Sequence, residues 1–233
     1  MTIRPIHSRT LTALALSLVL ALVLPTFAQE PAEPFTDDPD AVVIAFGDTT
    51  ISKAEFDQAF DVAARSTAIG QGLPVTDEVL AEFEPFRLGF LEQYGTQRVL
   101  AEEAEVRGLA ADDTVVDEVV DQLRQEQADS DAFQAWLDSA GYGDEEVLRE
   151  TLQVNLSVQA LVDDLALGID VDPDDVTAWY EANPEAVTSD DGSMVPLEAV
   201  EDQIAQFLVQ EALDAEVEAI TAAAGLELSP SGR

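Results

Sequence analysis

Cysteine is absent from the 233-residue chain, and histidine occurs once, as His7. Lysine also occurs once, as Lys53, and all basic residues number 10 against 48 Asp and Glu, a formal net charge of −38 at pH 7. Without cysteine there are no disulfide staples, so apolar burial must hold the fold. Ser-His-Asp and Cys-His nucleophilic systems and the usual structural zinc sites are excluded too, once His7 is assigned to a removed leader as below. Phosphate backbones and anionic lipid are repelled by so anionic a surface, which excludes nucleic acid as a partner. The same charge favours solubility, basic clients or a high-salt setting in which counterions screen self-repulsion.

What is present begins with an export signature. Arg4, His7 and Arg9 precede an apolar run from Leu11 to Leu24, followed by Pro25-Thr26-Phe27-Ala28. That order predicts a secretory signal peptide over residues 1–28, cleaved before Gln29. The run is shorter than the roughly 20 residues a spanning helix needs, so no stable membrane insertion is expected after cleavage. With no cysteine after the run, a lipid anchor is excluded. Localisation is therefore expected to be periplasmic or otherwise extracytoplasmic. Cleavage takes two of the ten basic residues and none of the acids, and leaves roughly 200 residues, enough for one core or a core with an appendage.

Residues 29–40, "QEPAEPFTDDPD", read as a disordered acidic spacer, so order is expected to begin at Ala41. "AVVIAFGDTTI" predicts a hairpin turned at Gly47-Asp48. Ser52 and Glu55 then form a capping box, with Ile51 and Phe56 at the positions of a hydrophobic staple, and Phe56, Ala59, Phe60 and Ala63 fall on one helical face. A long helical pattern follows, with a break near Pro85 and a firmer helix from there to Arg107. Further helices are expected to start near Asp112, Ser130, Asp144 and Asp172, the last with Pro173 in its first turn. Gly108-Leu109, Gly141-Tyr142, Gly168-Ile169 and Gly225-Leu226 each place a glycine and then an apolar residue after a helical run, the pattern of a left-handed C-terminal cap. The last helix is expected from Leu197 to Ala224, with a brief strand at Leu226–Leu228 and a flexible tail over 229–233.

The order of these elements resembles the N-terminal chaperone region of SurA-type and PrsA-type peptidyl-prolyl isomerases. It is carried by "VVIAFGDTTISKAEFDQAF", "LAEEAEVRGL", "DAFQAWLDSAGYGDEEVLRETLQVNLSVQALV" and "VDPDDVTAWYEANPE". The resemblance implies a mainly α, multi-helix chaperone domain over residues 41–228. A small N-terminal β-hairpin and a long C-terminal helix packing back on the core belong to that expectation. In such proteins a segment like "WYEANPE" leads into a parvulin-type isomerase domain, and a helix like "PLEAVEDQIAQFLVQEAL" returns from it. Here the two are joined by a short seam, residues 184–196, far below the ~100 residues of a typical domain. Parvulin-type sites are built around histidines, which the mature chain lacks. The resemblance thus implies a non-catalytic chaperone for unfolded exported proteins, with a diverged isomerase, or a subunit recruiting one, as the alternative.

Two aromatic groups are candidates for client binding. Phe83, Phe86, Phe90 and Tyr94 recur at spacings near three and four, and Phe133, Trp136, Leu137 and Tyr142 form a second group. Core packing is the competing role for both. Acid pairs such as Asp112-Asp113 and Asp174-Asp175 match helix starts and no twelve-residue calcium loop, and Gly70 and Gly72 lack the lysine of a phosphate loop. Neither a metal nor a cofactor is expected.

Overall fold

Val42–Phe46 (β1) and Thr49–Ser52 (β2) form the expected antiparallel hairpin, with Phe46 opposite Thr49. Gly47 turns it at φ +51°, a conformation that costs an L side chain and not glycine. The computed structural model describes residues 35–188 and 193–233; the expected signal peptide, the first residues of the expected spacer and residues 189–192 of the seam lie outside it. A register shift between Val42 and Ile44 bulges β1. A third strand, Glu227–Leu228 (β3), pairs antiparallel on the other edge of β1, so the sheet order is β2-β1-β3.

The chain after β3 departs from its expected flexibility. Ser229 N–H donates to the Val43 carbonyl at 2.9 Å and, after a turn closed by Gly232 N–H on the Ser229 carbonyl, Arg233 N–H donates to that of Val42 at 3.2 Å. Nor does the expected spacer hold to Asp40. Phe35 stacks on Phe56, and Thr36 N–H donates to Pro230, because an aromatic ring among prolines and acids still gains by covering an exposed edge of core.

Helix α1, Lys53–Gly70, starts as expected: Ser52 Oγ accepts from Glu55 N–H, and Ile51 and Phe56 are both fully buried in one cluster. The reciprocal half of the capping box is not made, since the Glu55 carboxylate turns to Arg98 at 3.4 Å. Ala59 and Ala63 are only half-buried, whereas Val62 and Ala64 are buried. α1 lies between two clusters, one with the sheet and one with the helices below, so it buries more than one stripe.

A short helix, Asp77–Ala81 (α2), and a 3-10 turn at Glu84–Phe86 containing Pro85 precede Arg87–Arg107 (α3). Then come Asp113–Gln125 (α4), Ser130–Ala140 (α5), Glu145–Gly168 (α6), Pro173–Ala182 (α7) and Leu197–Ala224 (α8). Asp112, Asp129, Asp144 and Asp172 cap α4 to α7 with their carboxylates on backbone N–H groups, so part of the acid excess is spent against helix dipoles.

Gly108, Gly141 and Gly225 close helices in the left-handed conformation. Gly141 is doubly required: at φ +87°, a Cβ there would meet Arg65 Cδ at 2.8 Å. Gly168 does not act as such a cap. It stays inside α6, which ends on extended Ile169.

α3 and α6 are the central pair, bridged by a Gln97 Nε2 to Asn155 Oδ1 hydrogen bond of 2.5 Å. α8 returns across them as expected. Its second half joins α3 and α6 through Leu213, Val217 and Ile220, and its first half joins α7 through Ile204 and Leu208. Gly95 in α3 admits β3, since a Cβ there would lie 3.1 Å from Leu228 and 3.2 Å from Leu226.

Candidate functional site

The two aromatic groups expected at the site have different fates. Phe133, Leu137 and Tyr142 are buried in the cluster joining α1, α4, α5 and α6, with Trp136 packed against them. The Phe133 and Trp136 rings lie 5.8 Å apart, and Arg124 covers Phe133 at 5.3 Å. Burial pushes the Tyr142 phenol above its ordinary value of 10.0, partly offset by a hydrogen bond with Ser66. This group is core.

In the other group, Phe90 and Tyr94 stack at 5.7 Å and pack beneath the sheet with Phe56. Burial raises the Tyr94 pKa, against the lowering effect of Arg98. Phe83 is half-buried, and Phe86, in the 3-10 turn, is 56% exposed. Phe83 and Phe86 fall in or beside the 3-10 turn that contains Pro85, ahead of the α3 helix that carries Phe90 and Tyr94.

Open clefts lie beside two aromatic-bearing helices, α1 and α3. One lies between α1 and α2, has a volume of about 350 Å³, and carries Asp57, Asp61, Asp77 and Glu84 on its walls. Arg87 occupies its base, paired with Asp57 and with Glu84 at 3.3 Å, and its guanidinium sits 4.8 Å from the Phe60 ring centre. Among the described residues Lys53 also pairs with Asp57.

The other cleft, about 420 Å³, is bounded by α3, α8 and the β1–β2 turn. Phe46 and Val99 are its buried floor, and Ile220 flanks it. Ala219 and Ala223 are exposed on the α8 side, where small side chains keep the gap open. At its mouth Val106 is 77% exposed. Sequence periodicity missed this cleft because its walls come from three segments distant from one another along the chain. One signal was present: Val106 is a lone β-branched residue in the charged run "EEAEVR", where neither helix propensity nor solubility favours it.

Away from these clefts, ionic contacts tie α4 to α6. Burial raises the Glu145 pKa, but hydrogen bonds from Arg124 and Arg149 outweigh it, and the net direction is down from 4.5. Among the described residues no group of His, Cys, Asp and Glu is arranged to hold a metal, and no helix is long and apolar enough to cross a membrane.

In comparison with known proteins, the family described as "SurA-like N-terminal domain" matches residues 4–162. That match includes the hairpin and α1 to α5 and most of α6, and it stops before α7 and α8. No curated protein and no solved structure matches the chain.

Proposed function

The chain belongs to the SurA-like N-terminal domain family, a chaperone-type family, and from that premise we propose that it is an extracytoplasmic holdase for unfolded exported proteins, without catalysis of its own. The observation that carries this reading is an apolar-floored cleft left open in a fold of that family. Transient insertion of an exposed client side chain removes apolar area from water at roughly 25 cal/mol per Å², which gives modest affinity and broad specificity. The strongly anionic exterior then keeps the complex dispersed.

Export is supported by the basic-then-apolar leader of residues 1–28. A non-catalytic role is supported by the lack of histidine after His7 and by the short connection from α7 to α8, which leaves little chain for an inserted isomerase domain. The purified protein is expected to slow aggregation of a chemically denatured envelope protein at near-stoichiometric amounts. It is expected to leave the proline-limited phase of a model refolding reaction unchanged at substoichiometric amounts. Failure to suppress aggregation of any such client would overturn the holdase reading, and acceleration of the slow phase would favour an isomerase.

A further inference from the structure

We infer that the cleft between α3 and α8 selects an apolar side chain flanked by arginine or lysine, with Glu102 as the charge that reads the flank. The inference rests on the holdase reading and names its client chemistry.

Two neighbouring glutamates line this cleft and are used differently. Glu103 is neutralised by Arg107, whose Nε lies 2.7 Å away. Glu102 forms no ion pair among the described residues; its Oε2 accepts from Thr49 Oγ1 at 2.9 Å. Its Oε1 lies 3.8 Å from where a Cβ on Gly47 would stand, so the carboxylate is held beside the hairpin turn at the cleft rim. A positioned, uncompensated carboxylate next to an apolar floor is complementary to a cation carried next to an apolar group.

The α1–α2 cleft shows the same chemistry already satisfied from within. There a guanidinium, Arg87, fills the space between carboxylates and the Phe60 ring. At the α3–α8 cleft the apolar floor and the carboxylate are present, and among the described residues no cation pairs with Glu102. A volume of about 420 Å³ accommodates one or two large side chains, toward the small end of the roughly 300–1,000 Å³ of ligand pockets. A second copy of this chain is a poor occupant, because each copy carries a formal charge of −38.

The test measures fluorescence anisotropy of two labelled unstructured peptides with identical apolar residues, one flanked by arginines and one by glutamates. Variants are Ala223→Trp, which fills the cleft from an exposed position; Glu102→Gln, which keeps an acceptor for Thr49 and removes the charge; and Leu167→Trp as a control on an exposed residue of α6. The protein is expected to prefer the basic peptide by about tenfold or more at low salt, with the preference lost at high salt. Glu102→Gln is expected to weaken the basic peptide alone, by roughly threefold to tenfold. Ala223→Trp is expected to weaken both by about tenfold, and Leu167→Trp neither. Should Ala223→Trp fail to fold, Val106→Asn, which removes an apolar side chain at the exposed mouth without adding charge, serves in its place.

Unchanged binding in the cleft variants, with aggregation suppression intact, would overturn this inference and spare the holdase reading. Absence of aggregation suppression in the unmodified protein would instead remove the reading beneath it. Self-association abolished by Ala223→Trp would put a second copy in the cleft and overturn the inference as well.

Discussion

Tyr180 Oη donates to the Val195 carbonyl oxygen at 2.7 Å, tying the last turn of α7 to the segment that leads into α8. Val195 N–H in turn donates to Val187 at 2.8 Å, and Thr188 and Met194 form an isolated antiparallel bridge. Val187 is buried with Val176 and Ile204, so the seam carries its own small core. Trp179 extends it, with its ring 5.3 Å from that of Phe207. The two sides of the seam therefore meet directly, and α7 and α8 pack together through contacts they supply themselves.

Tyr180→Phe keeps the ring in this core and removes only the hydroxyl. Because the bond is partly buried, its loss is expected to cost about 1 kcal/mol, the usual net value of one hydrogen bond. Urea unfolding should show a lower midpoint with an unchanged slope. A changed slope would mean that α7 and the start of α8 unfold as a separate unit, contrary to a single cooperative fold.

Phe35→Ala tests whether the ordered protein begins before Ala41. The ring stacks on Phe56 with centroids 5.5 Å apart and planes within 2°, and the Arg87 guanidinium lies 5.2 Å from its centre. Buried Phe→Ala changes cost about 3–5 kcal/mol, and half-burial of Phe35 brings the expected loss to about 2 kcal/mol. Phe35→Leu should recover most of it, apart from the roughly 0.5–1.5 kcal/mol attached to the aromatic pair. Equal stability of the alanine variant and the parent would return residues 35–40 to a spacer role.

Local signals made most of the fold legible in advance. Caps at Ser52, Asp112, Asp144 and Asp172, the break at Pro85 and the left-handed Gly108, Gly141 and Gly225 each act within a few residues, so the sequence alone carries them. Gly168 was misread because nothing local distinguishes it from the other three; the extended Ile169, which ends α6, is set by the path into α7. The residues around the open α3–α8 cleft escaped for a different reason. Phe46, Val106 and Ala223 meet only through tertiary packing, and no periodicity links positions so far apart. Conversely, Phe133, Trp136, Leu137 and Tyr142 stand out in the sequence as an aromatic group, and nothing local says that other helices cover them.

Tyr142 gives the alkaline limb of stability a predictable sign. Burial keeps its phenol protonated in the folded state at pH values where the unfolded phenol, near 10.0, has begun to ionise. The unfolded chain then binds fewer protons, so this group lowers stability as pH rises through its unfolded value. Tyr142→Phe should flatten that decline between about pH 9 and pH 11. Unfolding midpoints that fall equally steeply in both proteins would show that other groups set the alkaline limb, with Tyr94, also raised by burial, the first to examine.

Salt distinguishes the two electrostatic contributions that oppose each other across the surface. Ion pairs such as Arg124 with Glu145 and Arg149 with Asp117 are partly exposed and weaken as the ionic strength rises. Against them stands repulsion among 48 acids that only 10 basic residues can offset. Most carboxylates thus lack a cation to lose, and screening relieves far more repulsion than attraction. Raising sodium chloride from about 20 mM to about 1 M is expected to increase Tm, each kcal/mol gained moving it by about 2–4 °C for a chain of this size. Sucrose stabilises through exclusion and not through charge, so it separates the mechanisms. Both additives should raise Tm in the parent, but only the effect of salt should shrink when several exposed acids away from the caps are changed to amides. A Tm that falls with sodium chloride would mean that the few ion pairs outweigh the excess of acids, and the anionic surface would then need another explanation than tolerance of screened repulsion.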